Sequence, residues 1–233
     1  MRTLKILGFL LSYPTPTHKE IAAECKELLM QEGWLSQKSI TLLVGFFNEF
    51  EQKDLLDLQE SYVALFDRTP SLSLHLFEHI HGDSRDRGQA LADLLMVYEE
   101  AGLFINTQEM PDYIPLFCEY LSILSPQEAS KNMGSVVNIL SCLAERLKNR
   151  DSVYTAVFEA LIETAASAPD HLAVEQNLKM SAGAPLTAQQ IDQAWEEQYA
   201  FENAAQSNGQ ESACPKTSQM LARMHESPKE ERV

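Results

Sequence analysis

Fourteen positions from His75 to Gly88, HLFEHIHGDSRDRG, hold three histidines, two arginines, three carboxylates and a serine. If the segment is helical, His75 and His79 stand one turn apart on one face, a spacing at which two imidazoles hold zinc, with Glu78 and His81 beside them. That set would suit a metal-dependent hydrolase. Its order departs from the HExxH pattern, and no second histidine or acidic cluster completes a metal shell. The alternative is a group of histidines bonded to backbone or to the carboxylates of Asp83 and Asp86. Arg85 and Arg87, interleaved with those carboxylates, form either an anion-contacting site at a helix N-terminus or an internal ion-pair cluster that fixes the loop.

These groups have to be positioned by helices, and the apolar spacing supplies them. Asp83 or Ser84 can cap a helix from about Arg85, with Asp86 near the positive end of its dipole. Leu91, Leu94, Leu95 and Tyr98 form its buried stripe, and Gly102 is a C′ stop. Upstream, the pattern predicts helices over Thr3 to Ser12, Thr15 to Gly33, from Ser36 through Phe47, and from Asp54 through Phe66, with Ser71 to Ile80 a buried connection or short helix. Downstream, Pro111 can start a helix carrying Ile114, Phe117 and Leu121. Ser125 and Glu128 make a capping box around Pro126, and Asp151 can cap a helix through Phe158. No stretch reads as a strand. From Ala166 the composition shifts to small and polar residues. Residues 166–233 are therefore expected to be a flexible linker, one short helix bearing Ile191, Trp195 and Tyr199, and a disordered end. The expectation is an all-α fold: a single helical bundle over residues 1–165 with a mobile acidic tail.

The run SLHLFEHIHGDSRDRGQA, Ser73 to Ala90, resembles the signature of the delta subunit family of respiratory nitrate reductases, which are molybdenum-cofactor assembly chaperones. LLSYP at Leu10 to Pro14, QESYVALFDR at Gln59 to Arg68, EMPDYIP at Glu109 to Pro115 and IDQAWEEQYAF at Ile191 to Phe201 follow the same pattern in order. The resemblance implies a chaperone rather than an enzyme, with no cofactor of its own. Its partner would be the cofactor-free catalytic (alpha) subunit of a respiratory nitrate reductase, including that subunit's N-terminal segment. It would hold the partner open for molybdenum cofactor insertion before membrane attachment, and would not stay in the mature enzyme. Related twin-arginine chaperones hold a peptide in a helical groove beside aromatic residues. By that likeness Tyr62, Phe66 and Tyr113 are core or groove-lining residues. Glu109 to Pro115 is similar to the Glu-Pro-x-Asp-His motif of those relatives. Only Asp112 carries over directly, since Tyr113 stands at the histidine position. With Asp112 carried over by the resemblance and the rest read from residue type and spacing, the candidate partner-binding residues are Tyr62, Phe66, His75, Glu78, His79, His81, Asp83, Arg85, Asp86, Arg87, Asp112 and Tyr113.

Charge agrees with a basic peptide as partner. The chain of 233 residues carries 34 acidic and 18 basic residues, a net of −16, which excludes phosphate-backbone binding as its main business. From Ile191 onward eight acidic residues face four basic ones, so most of the excess lies on the body. Four cysteines with no CxxC pair suggest reduced thiols. The apolar run Ile6 to Leu11 is too short for the core of a secretion signal, and no stretch approaches the roughly 20 apolar residues that span a bilayer. A soluble cytoplasmic protein, not itself a membrane protein, is expected.

Overall fold

Eleven α-helices follow one another among the described residues, with no strand between them, so the all-α fold expected from the periodicity is what the chain adopts. The computed structural model describes residues 1–81, 86–106 and 109–180, without the side chains of His81, Lys179 and Met180. The caps expected at Asp83 or Ser84, Arg85, and the helix with Trp195 lie outside that range.

Helix α1 (Arg2–Leu10) buries Leu4, Leu7 and Leu10, and Glu32 closes its first turn by accepting from the Arg2 and Thr3 N–H groups. The helix expected from Thr15 to Gly33 divides into α2 (Pro16–Glu20) and α3 (Ala22–Glu32). The reason is His18, whose ring stacks on Phe9 at 3.9 Å, takes the Thr15 N–H on Nδ1 at 3.1 Å and sits 3.0 Å from the Phe9 carbonyl through Nε2. With α2 pinned to α1, the chain turns at Ile21 before laying Ala22, Cys25 and Leu29 on the core. Gly33 ends α3 at φ 68°, a conformation that favours glycine.

Ser36 caps α4 (Gln37–Gln52) by accepting from Ser39 N–H at 3.3 Å. Helix α5 (Leu55–Tyr62) continues into one π-helical turn, Val63–Asp67, closed by Arg68 N–H on the Val63 carbonyl at 3.0 Å. Tyr62 and Phe66 there join Phe46, Phe50 and Tyr154 in a buried aromatic cluster with ring centroids 4.5 to 6.2 Å apart. A 3-10 turn, Pro70–Leu72, leads to α6 (Glu78–His81) and α7 (Asp86–Glu100), which Gly102 ends at φ 83°.

Three boundaries differ from the sequence expectation. Helix α8 (Ile114–Ile123) begins after Tyr113, with Pro115 in its first turn, rather than at Pro111, because Asp112 and Tyr113 pair with residues 74–76 instead. Helix α9 (Pro126–Lys148) has the expected Ser125–Glu128 capping box, but Asp151 caps nothing beyond it. Asp151 sits at φ 51°, a left-handed geometry that short polar side chains tolerate, and α10 (Thr155–Glu163) starts four residues later. Finally, α11 (His171–Met180) is helical where the composition predicts a linker. Asp170 accepts from the Leu172 and Ala173 N–H groups, and Val174 is buried against α9.

Helix α9 is the central member and packs on α8, α10 and α11; α1 lies along α8, and α4 lies against α3 and α10. Cys25, Cys118 and Cys142 are free and buried. Among the described residues no helix is long and apolar enough to cross a membrane.

Candidate partner-binding site

Asp112 has no solvent exposure, and a carboxylate taken fully out of water must be matched by donors. Two segments far apart in sequence supply them. Leu76 N–H donates to the Asp112 carbonyl at 3.0 Å and Ile114 N–H to the Leu74 carbonyl at 2.8 Å, an antiparallel bridge between His75 and Tyr113. The Asp112 carboxylate then accepts from Phe77 N–H at 3.0 Å and lies 3.2 Å from His75 Nδ1. Arg87, from the first turn of α7, donates Nη2 to Glu78 at 3.0 Å and stands 3.9 Å from Asp112 Oδ2. Tyr98 OH secures the approach to this junction by donating to the Pro111 carbonyl at 2.8 Å.

The junction sorts the residues expected at a site. His75 and His79 do not converge on one point: His75 turns to Asp112, whereas His79 Nε2 lies 2.8 Å from the Ser73 carbonyl. Burial pushes the His79 pKa down and keeps its ring neutral at physiological pH. Glu78 and Arg87 pair with each other, and half-buried Asp86 sits in the first turn of α7. Arg87 Nε is buried with no hydrogen-bond partner among the described residues, so this arginine is built into the fold and is not a freely exposed charge. Tyr62 and Phe66 belong to the core, at 4% and 6% exposure. Tyr62 OH donates to the Leu11 carbonyl at 2.9 Å and lies 3.1 Å from the hydroxyl of half-buried Tyr113, whose pKa is pushed up to about 12, chiefly by burial. Asp83, Arg85 and the His81 side chain lie outside the described residues.

Beside the junction, a groove of about 230 Å³ opens between α1 and α8. Phe9, Tyr113, Pro115 and Leu116 line it, with Glu109 and Glu119 among its polar groups and Lys5 paired to Glu119 at 3.1 Å. Phe9 and Glu119 were not among the sequence-derived candidates. The available signal was weak: Phe9 falls off the buried stripe of α1, which marks a residue facing something other than the core.

The described geometry spans the elements that a family comparison picks out, since residues 31–160 match the family described as nitrate reductase delta subunit. The chain belongs to the nitrate reductase delta subunit family. It is 39% identical over 198 residues to the probable nitrate reductase molybdenum cofactor assembly chaperone NarW of Escherichia coli K12, covering 85% of this chain and 82% of that one. It is 38% identical over 198 residues to the nitrate reductase molybdenum cofactor assembly chaperone NarJ of the same strain, covering 85% and 84%. A probable NarJ of Bacillus subtilis is 28% identical over 160 residues, 69% of this chain and 86% of that one. In this delta subunit family member the matched residues include the whole Asp112 junction, while α1, one wall of the groove, precedes them.

The junction has a pH signature. The hydrogen bond to Asp112 raises the His75 pKa, outweighing the burial that lowers it. A folded-state pKa above the unfolded value of about 6.5 means that the contact stabilises fully below that pH and fades as pH rises through the folded value. His75→Gln is expected to lose about 1 kcal/mol more stability at about pH 5.5 than at about pH 8.5, the difference between a charge-assisted and a neutral hydrogen bond. His18 and His79, both held neutral by burial, tilt stability the opposite way, but equally in the two proteins. Denaturant unfolding at the two pH values measures the difference; equal losses would mean that His75 works as a neutral hydrogen-bonding group.

Proposed function

We propose that this chain is an assembly chaperone for a molybdenum-containing nitrate reductase. It acts in the cytoplasm on the cofactor-free catalytic subunit, including its N-terminal segment, before that subunit joins its membrane partner, and it is not retained in the finished enzyme. The names of the relatives support the client, and the groove between α1 and α8 supports the mode of binding. An apolar wall of Phe9, Pro115 and Leu116 with carboxylates at Glu109 and Glu119 suits a basic, partly apolar peptide. Tyr113 and the junction that holds it, His75, Glu78, Arg87 and Asp112, form the ordered edge of that surface.

No bond is made or broken in this mechanism. A chaperone that binds only the open, cofactor-free conformer raises that conformer's population by mass action, and insertion that closes the client removes the surface it holds. The acidic body raises the encounter rate with a basic segment.

A peptide from the client's N-terminus, titrated into the full chain, tests the groove. Affinity is expected to fall as salt rises, because exposed charges are screened within about 10 Å at 0.1 M ionic strength. The Glu109→Gln, Glu119→Gln double variant is expected to bind about threefold to tenfold more weakly, the scale of two rim charges. Affinity that ignores both salt and the double substitution would place the peptide elsewhere. Capture of the catalytic subunit from cells grown without molybdate, and its loss on molybdate addition, tests the client and the release step together.

A further inference from the structure

A pocket of about 290 Å³ lies between the Pro70–Leu72 turn, α6, α9 and α11, and the chaperone reading makes no use of it. Its wall includes Arg146, half-buried, whose Nη1 donates to the Ser71 carbonyl at 2.7 Å. No carboxylate among the described residues lies within ion-pair distance of that guanidinium, and burial pushes its pKa down with no acid nearby to offset the loss. The acid on the same wall, Glu78, is held by Arg87 at 3.0 Å. In a chain with 34 acidic residues to 18 basic ones, a half-buried arginine without an acid is out of keeping with its surroundings. Just past the C-terminal end of α9, exposed Arg150 reaches back to Thr69 Oγ1 at 3.2 Å with no carboxylate within ion-pair distance among the described residues, and adds a second positive charge beside the same turn. The remaining polar lining is uncharged: Ser71, exposed Asn177 of α11, and neutral His79.

We propose that this pocket binds a phosphate group, with the Arg146 guanidinium as its counter-charge and Asn177 as an uncharged donor at the mouth. Guanidinium donors match the oxygens of a phosphate in pairs. The volume, at the lower end of small-molecule sites, suits a compact ligand. The assignment is independent of the groove between α1 and α8.

Calorimetric titration of the full chain with inorganic phosphate, against acetate and chloride at matched ionic strength, tests it. Phosphate is expected to saturate one site, and Arg146→Gln to weaken it at least about tenfold, the loss of one charged partner. Asn177→Asp changes an exposed residue and sets a carboxylate at the mouth, so it should weaken phosphate as strongly. That variant decides the question if Arg146→Gln fails to fold. Ribose 5-phosphate separates the sources: tighter binding than inorganic phosphate identifies a phosphate ester as the ligand, and equal binding identifies the free ion. No saturation below about 50 mM, acetate binding as well as phosphate, or unchanged affinity in both variants overturns the proposal.

Discussion

Asp112→Ala is expected to lower the free energy of unfolding by about 3 kcal/mol, the low end of the range for breaking a buried charge pair. The carboxylate is fully buried, accepts from Phe77 N–H, lies against His75 Nδ1 and stands 3.9 Å from the Arg87 guanidinium, so its removal takes an acceptor from the first two and a counter-charge from the third at once. The loss stays at the low end because Arg87 keeps Glu78 at 3.0 Å. Asp112→Asn preserves the shape and one acceptor and should cost less, which separates the charge from the space it fills. The consequence extends to binding: without Asp112 the segments 74–76 and 112–114 lose their side-chain fastener and keep their backbone bridge and core packing, so Tyr113 is held less firmly at the groove. Urea unfolding reads the stability change as a fall in midpoint at constant slope. A loss under about 0.5 kcal/mol, the scale of ordinary surface substitutions, would sink the view of Asp112 as the fastener of this junction.

Gly8→Ala is expected to destabilise by about 2 kcal/mol, within the usual range for overpacking a filled interface. A Cβ at position 8 would stand 2.7 Å from Cys118 Cβ and 2.9 Å from the Pro115 carbonyl oxygen, neither of which is the free end of a flexible side chain. The sign makes this a sharp test, because glycine to alanine inside a helix otherwise gains up to about 1 kcal/mol from propensity alone. Gly45, exposed in α4 with nothing within 4 Å of its would-be Cβ, is the control, and Gly45→Ala should be neutral or stabilising. Opposite signs at the two positions would show that the close approach of α1 to α8 decides the outcome. If both substitutions stabilise, that approach has slack. Because Gly8 and Pro115 both line the groove, a forced separation of the two helices should also weaken client peptide binding.

Most of what the sequence determined by itself is local. Caps and stops act within one helical turn, and so Ser36, the Ser125–Glu128 box, Gly33 and Gly102 could be read from residue type and spacing and are found where expected. The apolar stripes were equally legible, because 3.6-residue periodicity reports burial whatever the helix packs against. Family membership was legible as well, from motifs spread through the chain.

Only the tertiary structure decided the rest, since it depends on groups distant in sequence. Asp112 and His75 are 37 residues apart, and nothing in either neighbourhood says that they meet. Helical spacing brought His75 and His79 together as a metal pair; in space they point to different partners because the chain over 73–77 runs through a bend, a bridge at His75 and a tight turn before α6 begins at Glu78. His18 passed as an ordinary helix residue until Phe9 and Thr15 enclosed it. Asp151 looked like a cap and became a left-handed turn, and His171–Met180 looked like a linker until Val174 found α9. The physical reason is the same in each case: a hydrogen bond or a buried contact is set by three-dimensional proximity, which sequence spacing encodes only within a few residues.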